Sequence, residues 1–189
     1  MTDEDDGALA FAERFGRREH GPCRLYLISP LDVGGGGLLA AILAATAGPV
    51  WGVDVSAAMV ARGRRRFAGI GRLRLIEASV ERLPLASASI DKACSVNNLY
   101  FWPDPGAAMR ELGRVVRPGG TLSIAFEPPE ELRKWPGHRF GFRLFAEPEV
   151  RRLMEEAGFD PVRRAEGRGR KPDFFLCLTG ERAGGQAAA

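Results

Sequence analysis

The sequence predicts a doubly wound α/β domain, in which helices cover both faces of a mostly parallel sheet. The first support is an apolar segment that ends in Asp32 and passes through four glycines, Gly34 to Gly37, into a stretch rich in helix formers. Glycines let the backbone turn sharply and approach a ligand, so this order is typical of a strand, a tight turn and a helix. The second support is another apolar strand, about 20 residues on, that also ends in an acid, Asp54.

Length and composition are those of one globular domain. The chain has 189 residues, of which 45% are hydrophobic and 27% are charged, and that length supports a substantial core. We expect a single domain over 1–189, with disordered ends at 1–7 and 183–189. The N-terminus is acidic, unlike a signal peptide, and no apolar run approaches membrane-spanning length. These features predict a cytoplasmic protein with no membrane partner.

Cysteine spacing and charge argue against two other classes of site. Cys23, Cys94 and Cys177 are too far apart for a metal motif and odd in number for a disulfide framework, so we expect free thiols and no metal. The net charge is only +3, and the arginine-rich run 62–66 is typical of the solvated C-terminal end of a helix. A nucleic-acid partner is therefore not expected, although RNA stays an alternative through this run.

In the first half of the chain, apolar spacing and capping residues predict the elements. The first strand either begins at Leu31 or bends at Pro30, because proline removes a ladder hydrogen bond. Ser56 has the residue type of a helix N-cap. The elements expected here are a helix at 8–19, a helix after the glycines, strands at 50–54 and 72–77, the latter at an edge, and a helix at 57–67.

In the second half, a strand over 90–96 ends in a polar and aromatic run, 97–102. Ligands of open α/β sheets bind outside the carboxyl ends of the strands, so this run is the leading candidate for the substrate side. The alternative is that its apolar members only pack the core. The remaining elements expected are a helix opened by Asp104 and Pro105 and ended by Pro118-Gly119-Gly120, a strand at 121–126, an insert at 130–146, a helix from Pro148 to Gly158, and closing strands at 162–165 and 174–178.

Four segments resemble, in order, the motifs of class I S-adenosylmethionine (SAM)-dependent methyltransferases. Asp32-Val33-Gly34-Gly35-Gly36 resembles the acid-x-Gly-x-Gly signature of that family. Further along the chain, 78–84 look like its adenine-contacting loop, 89–96 look like its fourth strand, and 114–120 are similar to its turn before strand five. The similarity is close as far as residue 126 and looser beyond it.

A nicotinamide oxidoreductase would share a carboxylate that binds the ribose hydroxyls, but it fits the sequence less well. The dinucleotide turn needs G-x-G-x-x-G, and the place of its third glycine, counted from Gly34, holds Leu39. Tyr100 is followed four residues later by Asp104, so no Tyr-x-x-x-Lys pair exists there. The glycine pattern therefore favours SAM over a dinucleotide.

The resemblance implies a Rossmann-like fold with seven strands in the order 3-2-1-4-5-7-6, the last one antiparallel. It also implies transfer of a methyl group from SAM to an oxygen, nitrogen or carbon nucleophile, leaving S-adenosylhomocysteine (SAH). The expected partner is then a small-molecule methyl acceptor, and a homodimer stays open. The residues implied for cofactor binding are Asp32, Gly34 and Gly36 at the turn, Asp54 on the ribose hydroxyls, Ser79 and Val80 around the adenine, and Asn97.

The sequence names no catalytic residue, because methyl transfer needs a general base only for an acceptor that must lose a proton. Asn97, Tyr100 and His138, whose ordinary pKa is about 6.5, are the candidates on the acceptor side. Leu38 stands where a third glycine is usual in the family, Ser79 stands where an adenine-binding acid is usual, and the helical lead-in is short. These departures keep a non-catalytic SAM-binding domain as an alternative.

Overall fold

The computed structural model describes residues 24–27, 37–135, 141–168 and 174–184. The strands are β1 Arg24–Leu27, β2 Val50–Asp54, β3 Leu73–Glu77, β4 Ile90–Val96, β5 Val116–Phe126, β6 Phe159–Gly167 and β7 Phe175–Arg182. The helices are α1 Gly37–Ala45, α2 Ala57–Arg66, α3 Pro105–Val115, α4 Pro129–Leu132 and α5 Glu147–Glu156, with a 3₁₀ turn at Leu99–Phe101.

All seven strands belong to one sheet, in the order β3-β2-β1-β4-β5-β7-β6. The pairs from β3 to β5 are parallel, whereas β7 runs antiparallel to both β5 and β6. The predicted doubly wound α/β class is confirmed, and the observed order is the one that the resemblance implies. β3 lies at the edge of the sheet, as its alternating sequence predicted.

The core consists of two apolar clusters, one on each face of the sheet. Ala93 and Cys94 are neighbours on β4, both fully buried, and they belong to different clusters. Consecutive side chains of a strand point to opposite faces, so the two clusters lie on opposite faces. Helices α1 and α2 cover the smaller cluster through residues such as Ile42, and α3 and α5 cover the larger one through residues such as Leu112.

The two predicted N-caps are confirmed. Ser56 Oγ accepts a hydrogen bond of 3.4 Å from the backbone N–H of Met59 at the start of α2. Asp104 Oδ1 accepts one of 2.9 Å from the backbone N–H of Ala107 at the start of α3, and Pro105 follows it at the first helical position. Each bond satisfies an N–H that the helix itself leaves unpaired.

The predicted start of the fifth strand at 121 is wrong, because β5 already begins at Val116. Val116 lies opposite Ile90 and Thr121 opposite Lys92, so four residues of β5 bulge between them. Gly119 has a φ of 73°, and a Cβ on Gly120 would stand 2.8 Å from the carbonyl oxygen of Asp91. The glycines that were interpreted as a turn are needed for this left-handed backbone and close approach.

Other boundaries differ from the expectations by smaller amounts. The first strand includes Arg24–Leu27 and so does not begin at Leu31. β6 and β7 are both longer than the closing strands predicted, because they pair with each other along most of their length. The expected helix at 8–19, the ends at 1–7 and from 185 onwards, and the centre of the insert lie outside the described residues.

Gly113 lies where α3 approaches the end of α5, and a Cβ there would stand 2.5 Å from the carbonyl oxygen of Ala157. We expect Gly113→Ala to lower the free energy of unfolding by about 1–3 kcal/mol, because a backbone atom cannot move aside without shifting a helix. Gly106→Ala in the same helix is the control, since its Cβ would meet only side-chain atoms, at 3.3 Å. Urea titration measures both; equal stabilities would contradict the close approach.

Candidate functional site

The carboxyl ends of β2, β4 and β5 bring together the polar side chains that could take part in chemistry. Asp54 is the last residue of β2, Asn97 follows β4, and Glu127 follows β5. β2 and β4 flank β1, and β5 pairs with β4. All these strands run parallel, so their carboxyl ends lie at one edge of the sheet. In open α/β sheets this edge holds the ligand crevice.

Asp54 is a buried carboxylate with one satisfied and one unsatisfied oxygen. Asp54 is only 4% exposed. Oδ1 accepts a hydrogen bond of 2.8 Å from the backbone N–H of Ser56, while Oδ2 is buried and has no hydrogen-bond partner. Burial raises the pKa of Asp54, and the bond from Ser56 opposes that shift. A buried carboxylate oxygen without a donor is costly, so Oδ2 fits a ligand hydroxyl such as one of a ribose.

Val55, directly after Asp54, offers an apolar surface at the same edge. It is 68% exposed, which is unusual for a large β-branched residue in this protein. An exposed apolar side chain beside a ribose-binding carboxylate can pack against the flat face of a base. Val55 was not among the predicted site residues, although an apolar residue between a strand's terminal acid and a helix N-cap is visible in the sequence.

The loop after β3 is held against the end of β2, which brings Ser79 towards Asp54. The backbone N–H of Ala78 donates to the carbonyl oxygen of Asp54 over 3.1 Å. Ser79 is half-buried, and its Oγ accepts a hydrogen bond of 3.2 Å from the backbone N–H of Glu81. Its hydroxyl hydrogen can still be donated to a ligand. The side chain of Val80 packs in the larger core cluster.

Asn97 directly follows β4 and has a left-handed backbone conformation, with a φ of 51°. Asparagine tolerates this region better than most residues, which explains the residue type at this position. Its backbone N–H donates to the carbonyl oxygen of Ala125 over 2.9 Å, so the ends of β4 and β5 are tied together. Its side chain hydrogen-bonds the carboxylate of Glu127, which lies on the neighbouring strand end.

Tyr100 and Glu127 form a buried pair, only 3% and 4% exposed. The Tyr100 hydroxyl donates to Oε2 of Glu127 and accepts a hydrogen bond of 2.5 Å from the backbone N–H of Glu127. Burial raises the pKa of both groups, and the bonds from Tyr100 and Asn97 partly offset the shift for Glu127. Glu127 was not among the predicted residues, since burial of a carboxylate between Phe126 and Pro128 leaves no trace in the sequence.

Four aromatic rings extend from this pair towards solvent; we refer to Tyr100, Phe101, Trp135 and Phe142 as the aromatic cluster. Phe142 lies at its centre, with ring centroids 5.8 Å from Tyr100, 4.6 Å from Phe101 and 5.1 Å from Trp135. Phe101 is 37% exposed and Trp135 is 42% exposed. The run after β4 is therefore divided, because Leu99 and Trp102 are core residues while Phe101 presents an accessible ring.

Several predicted site residues lie outside the part of the chain that the structure describes. Asp32, Gly34, Gly36 and His138 belong to this group, and their roles remain predictions. Leu38, which stands where a third glycine is usual in the family, is among the described residues. It lies in the first turn of α1 and packs against the smaller core cluster.

The arginine-rich run lies at the opposite edge of the sheet from the crevice. α2 begins just after β2 ends and finishes before β3 begins, so Arg64, Arg65 and Arg66 lie at the edge formed by the amino ends of the strands. A surface cavity between Arg64 and Arg74 lies there too, away from Asp54. These three arginines are therefore not placed to bind a group at the carboxyl edge.

Within the described ranges, no group of three or more His, Cys, Asp or Glu side chains is arranged to hold a metal ion. None of the helices in those ranges is both long and apolar enough to cross a membrane. Cys94 and Cys177 are free thiols.

Comparison with known proteins adds a family match over a range that includes the carboxyl ends of β2 and β4. Residues 31–124 match the family model described as a methyltransferase domain. The chain is 31% identical over 132 residues to the uncharacterized methyltransferase YdaC of Bacillus subtilis. The aligned region covers 69% of this chain and 68% of that protein. The chain spans only 53% and 55% of the lengths of two further curated methyltransferases that it matches.

Solved structures resemble the whole described fold. One is from the complex of the Haloferax volcanii Trm112 methyltransferase activator with a putative methyltransferase, with a TM-score of 0.78, 19% identity, and coverage of 96% of this chain and 92% of that one. Another is a SAM-dependent methyltransferase of Thermotoga maritima, a possible histamine N-methyltransferase, with a TM-score of 0.73, 20% identity, and coverage of 94% and 89%. At these identities the likeness concerns the fold.

Proposed function

Because this chain belongs to the class I SAM-dependent methyltransferases, we propose that it methylates an oxygen, nitrogen or carbon nucleophile of a small molecule. SAM is the methyl donor of this family, and SAH is the product. The observation that carries the proposal is the buried Asp54 carboxylate, whose Oδ2 has no partner at the edge where such sheets bind ligands. A donor with two ribose hydroxyls would satisfy that oxygen.

The residues of the chain would hold the donor through complementary contacts. The backbone N–H of Ser56 fixes one oxygen of Asp54, and the other, buried without a partner, would accept a hydrogen bond from a ribose hydroxyl. Val55 would cover one face of the adenine, and the Ser79 hydroxyl would donate to its edge. Asp32, Gly34 and Gly36 are proposed for the methionine end on the family resemblance.

Catalysis would come mainly from positioning. When bound, SAM supplies a methyl group that its sulfonium already makes electrophilic. The chain has to hold an acceptor in line with that group and keep water out, and such orientation is worth about 7–11 kcal/mol in favourable systems. Asn97 and the aromatic cluster, at the neighbouring strand end, are the groups we propose for the acceptor side. The arginine run at the other edge gives no support to an RNA acceptor.

Two measurements on the purified protein test this function. Mass spectrometry of the denatured protein would identify any adenosyl compound that it retains, and calorimetry would measure binding of added SAM and SAH. We expect both ligands to bind and SAH to form when a suitable acceptor is present. Failure to bind either ligand would refute the proposal, and binding without turnover across a broad acceptor panel would favour the non-catalytic alternative.

A further inference from the structure

Glu127 is a buried carboxylate that forms no ion pair with any residue in the described part of the chain. It follows β5 directly and lies beside the end of β4, at the carboxyl edge of the sheet, yet it is only 4% exposed. The side chains that hydrogen-bond it among the described residues, Tyr100 and Asn97, are neutral. Taking a carboxylate out of water without a cation is costly, so a purely structural role is an expensive use of this residue.

The environment of Glu127 makes it a better proton acceptor than an exposed carboxylate. Burial raises the pKa of Glu127, and the hydrogen bonds from Tyr100 and Asn97 offset part of that rise. Among the described residues Tyr100 is the titratable side chain in contact with it. Burial and the neighbouring carboxylate also raise the pKa of Tyr100, which therefore stays protonated and acts as a donor. Of the two, Glu127 is therefore the group that can accept a proton.

The aromatic cluster connects this carboxylate to the surface. Tyr100 contacts Glu127 through its hydroxyl and Phe142 through its ring, and the cluster ends in the partly exposed rings of Phe101 and Trp135. Accessible aromatic rings beside a buried polar group are typical of sites that bind a flat apolar ligand with one polar substituent. The side chains thus match a ring with a single ionisable group.

We propose that the methyl acceptor is a small hydroxyaromatic molecule and that the carboxylate of Glu127 takes the proton of its hydroxyl group; this inference rests on the proposed function. The ring of the acceptor lies against the aromatic cluster. The acceptor oxygen forms a bond to the donor methyl carbon while the bond from that carbon to sulfur breaks, leaving its electron pair on sulfur. The hydroxyl proton moves to Glu127 and passes to water after the methyl ether leaves.

The test compares two acceptors that differ in whether a base is needed. Phenol keeps its proton at mildly alkaline pH, whereas 4-nitrophenol has largely lost it. We expect Glu127→Gln to slow SAH formation with phenol by about 100-fold, within the range for loss of a general base, and with 4-nitrophenol by only a few-fold. The control Glu130→Gln removes an exposed carboxylate three residues away and should match wild type with both acceptors. Equal losses with both phenols in Glu127→Gln would overturn the proton-transfer role.

Binding measurements separate this inference from the function on which it rests. Glu127→Gln should bind SAH as wild type does, which shows that the variant is folded and that its cofactor site is intact. If wild type binds SAM but methylates neither phenol, the hydroxyaromatic acceptor is wrong while the proposed function stands. If wild type does not bind SAM at all, the proposed function fails as well.

Discussion

Replacing Asp54 by asparagine is expected to weaken the binding of both SAM and SAH by about 10- to 100-fold, the size of a lost charged hydrogen bond. The buried Oδ2 without a partner becomes an amide nitrogen, which cannot accept from a ribose hydroxyl. Oδ1 can keep its bond to the backbone N–H of Ser56, so the end of β2 retains its shape. Calorimetry at neutral pH measures the change.

The control for this prediction lies on the neighbouring strand. Glu77 is opposite Asp54 in the β2–β3 register but is exposed, and Glu77→Gln should bind both ligands as wild type does. Asparagine at position 54 should also not lower the stability of the free protein. Since burial raises the pKa of Asp54, its charge costs folded stability above the ordinary pKa of 3.8, and the amide removes that cost. Unchanged affinity in the asparagine variant would remove Asp54 from the site.

Tyr100→Phe is expected to lower the free energy of unfolding at neutral pH by about 3 kcal/mol. The substitution removes the hydroxyl that donates to the Glu127 carboxylate and accepts from the Glu127 backbone N–H. Both groups of Glu127 then remain buried without that partner. The shape of the ring and its contact with Phe142 are retained, so the loss reports the hydrogen bonds rather than packing.

The pH dependence of this loss has a defined sign. Burial raises the pKa of Glu127 in the folded protein above the ordinary 4.5. Folded stability therefore falls as pH rises from that ordinary pKa to the raised one. The bond from Tyr100 lowers this pKa, and its removal enlarges the shift. The destabilisation should therefore be largest at neutral pH and shrink as Glu127 is protonated in acid.

A double-mutant cycle makes the Tyr100 prediction specific. In a Glu127→Gln background, Tyr100→Phe should cost clearly less and should lose its pH dependence, because no carboxylate remains to be left unsatisfied. Urea titrations between mildly acidic and neutral pH measure all four proteins. Identical costs in the two backgrounds would mean that the buried pair does not contribute as the structure indicates.

Features set by local sequence could be predicted, and features set by contacts between distant segments could not. Asp54 was singled out because it ends an apolar strand about 20 residues after the glycine turn, and Ser56 and Asp104 were predicted as caps from their residue type and the helical pattern that follows them. The burial of Glu127 depends on Tyr100, which is far away in the chain and reaches it only because β4 and β5 pair. Propensity and periodicity carry no information about such a pairing.

The bulge in β5 shows the same limit. Pro118, Gly119 and Gly120 have the composition of a turn, and the sequence analysis ended the helix there. In the structure these residues form a bulge inside a continuous strand, because Val116 before them and Thr121 after them both pair with β4, and a Cβ on Gly120 would stand close to the carbonyl oxygen of Asp91. Tertiary pairing overrode the local preference, and the glycines mark the strand's irregularity rather than its start.

The arginines at the end of α2 and the crevice are separated by the length of a strand. β2 has five residues, so at about 3.3 Å per residue the two edges are roughly 16 Å apart. That is about two Debye lengths at physiological ionic strength. Mobile ions therefore screen the carboxyl edge of the sheet from most of the positive charge at the end of α2.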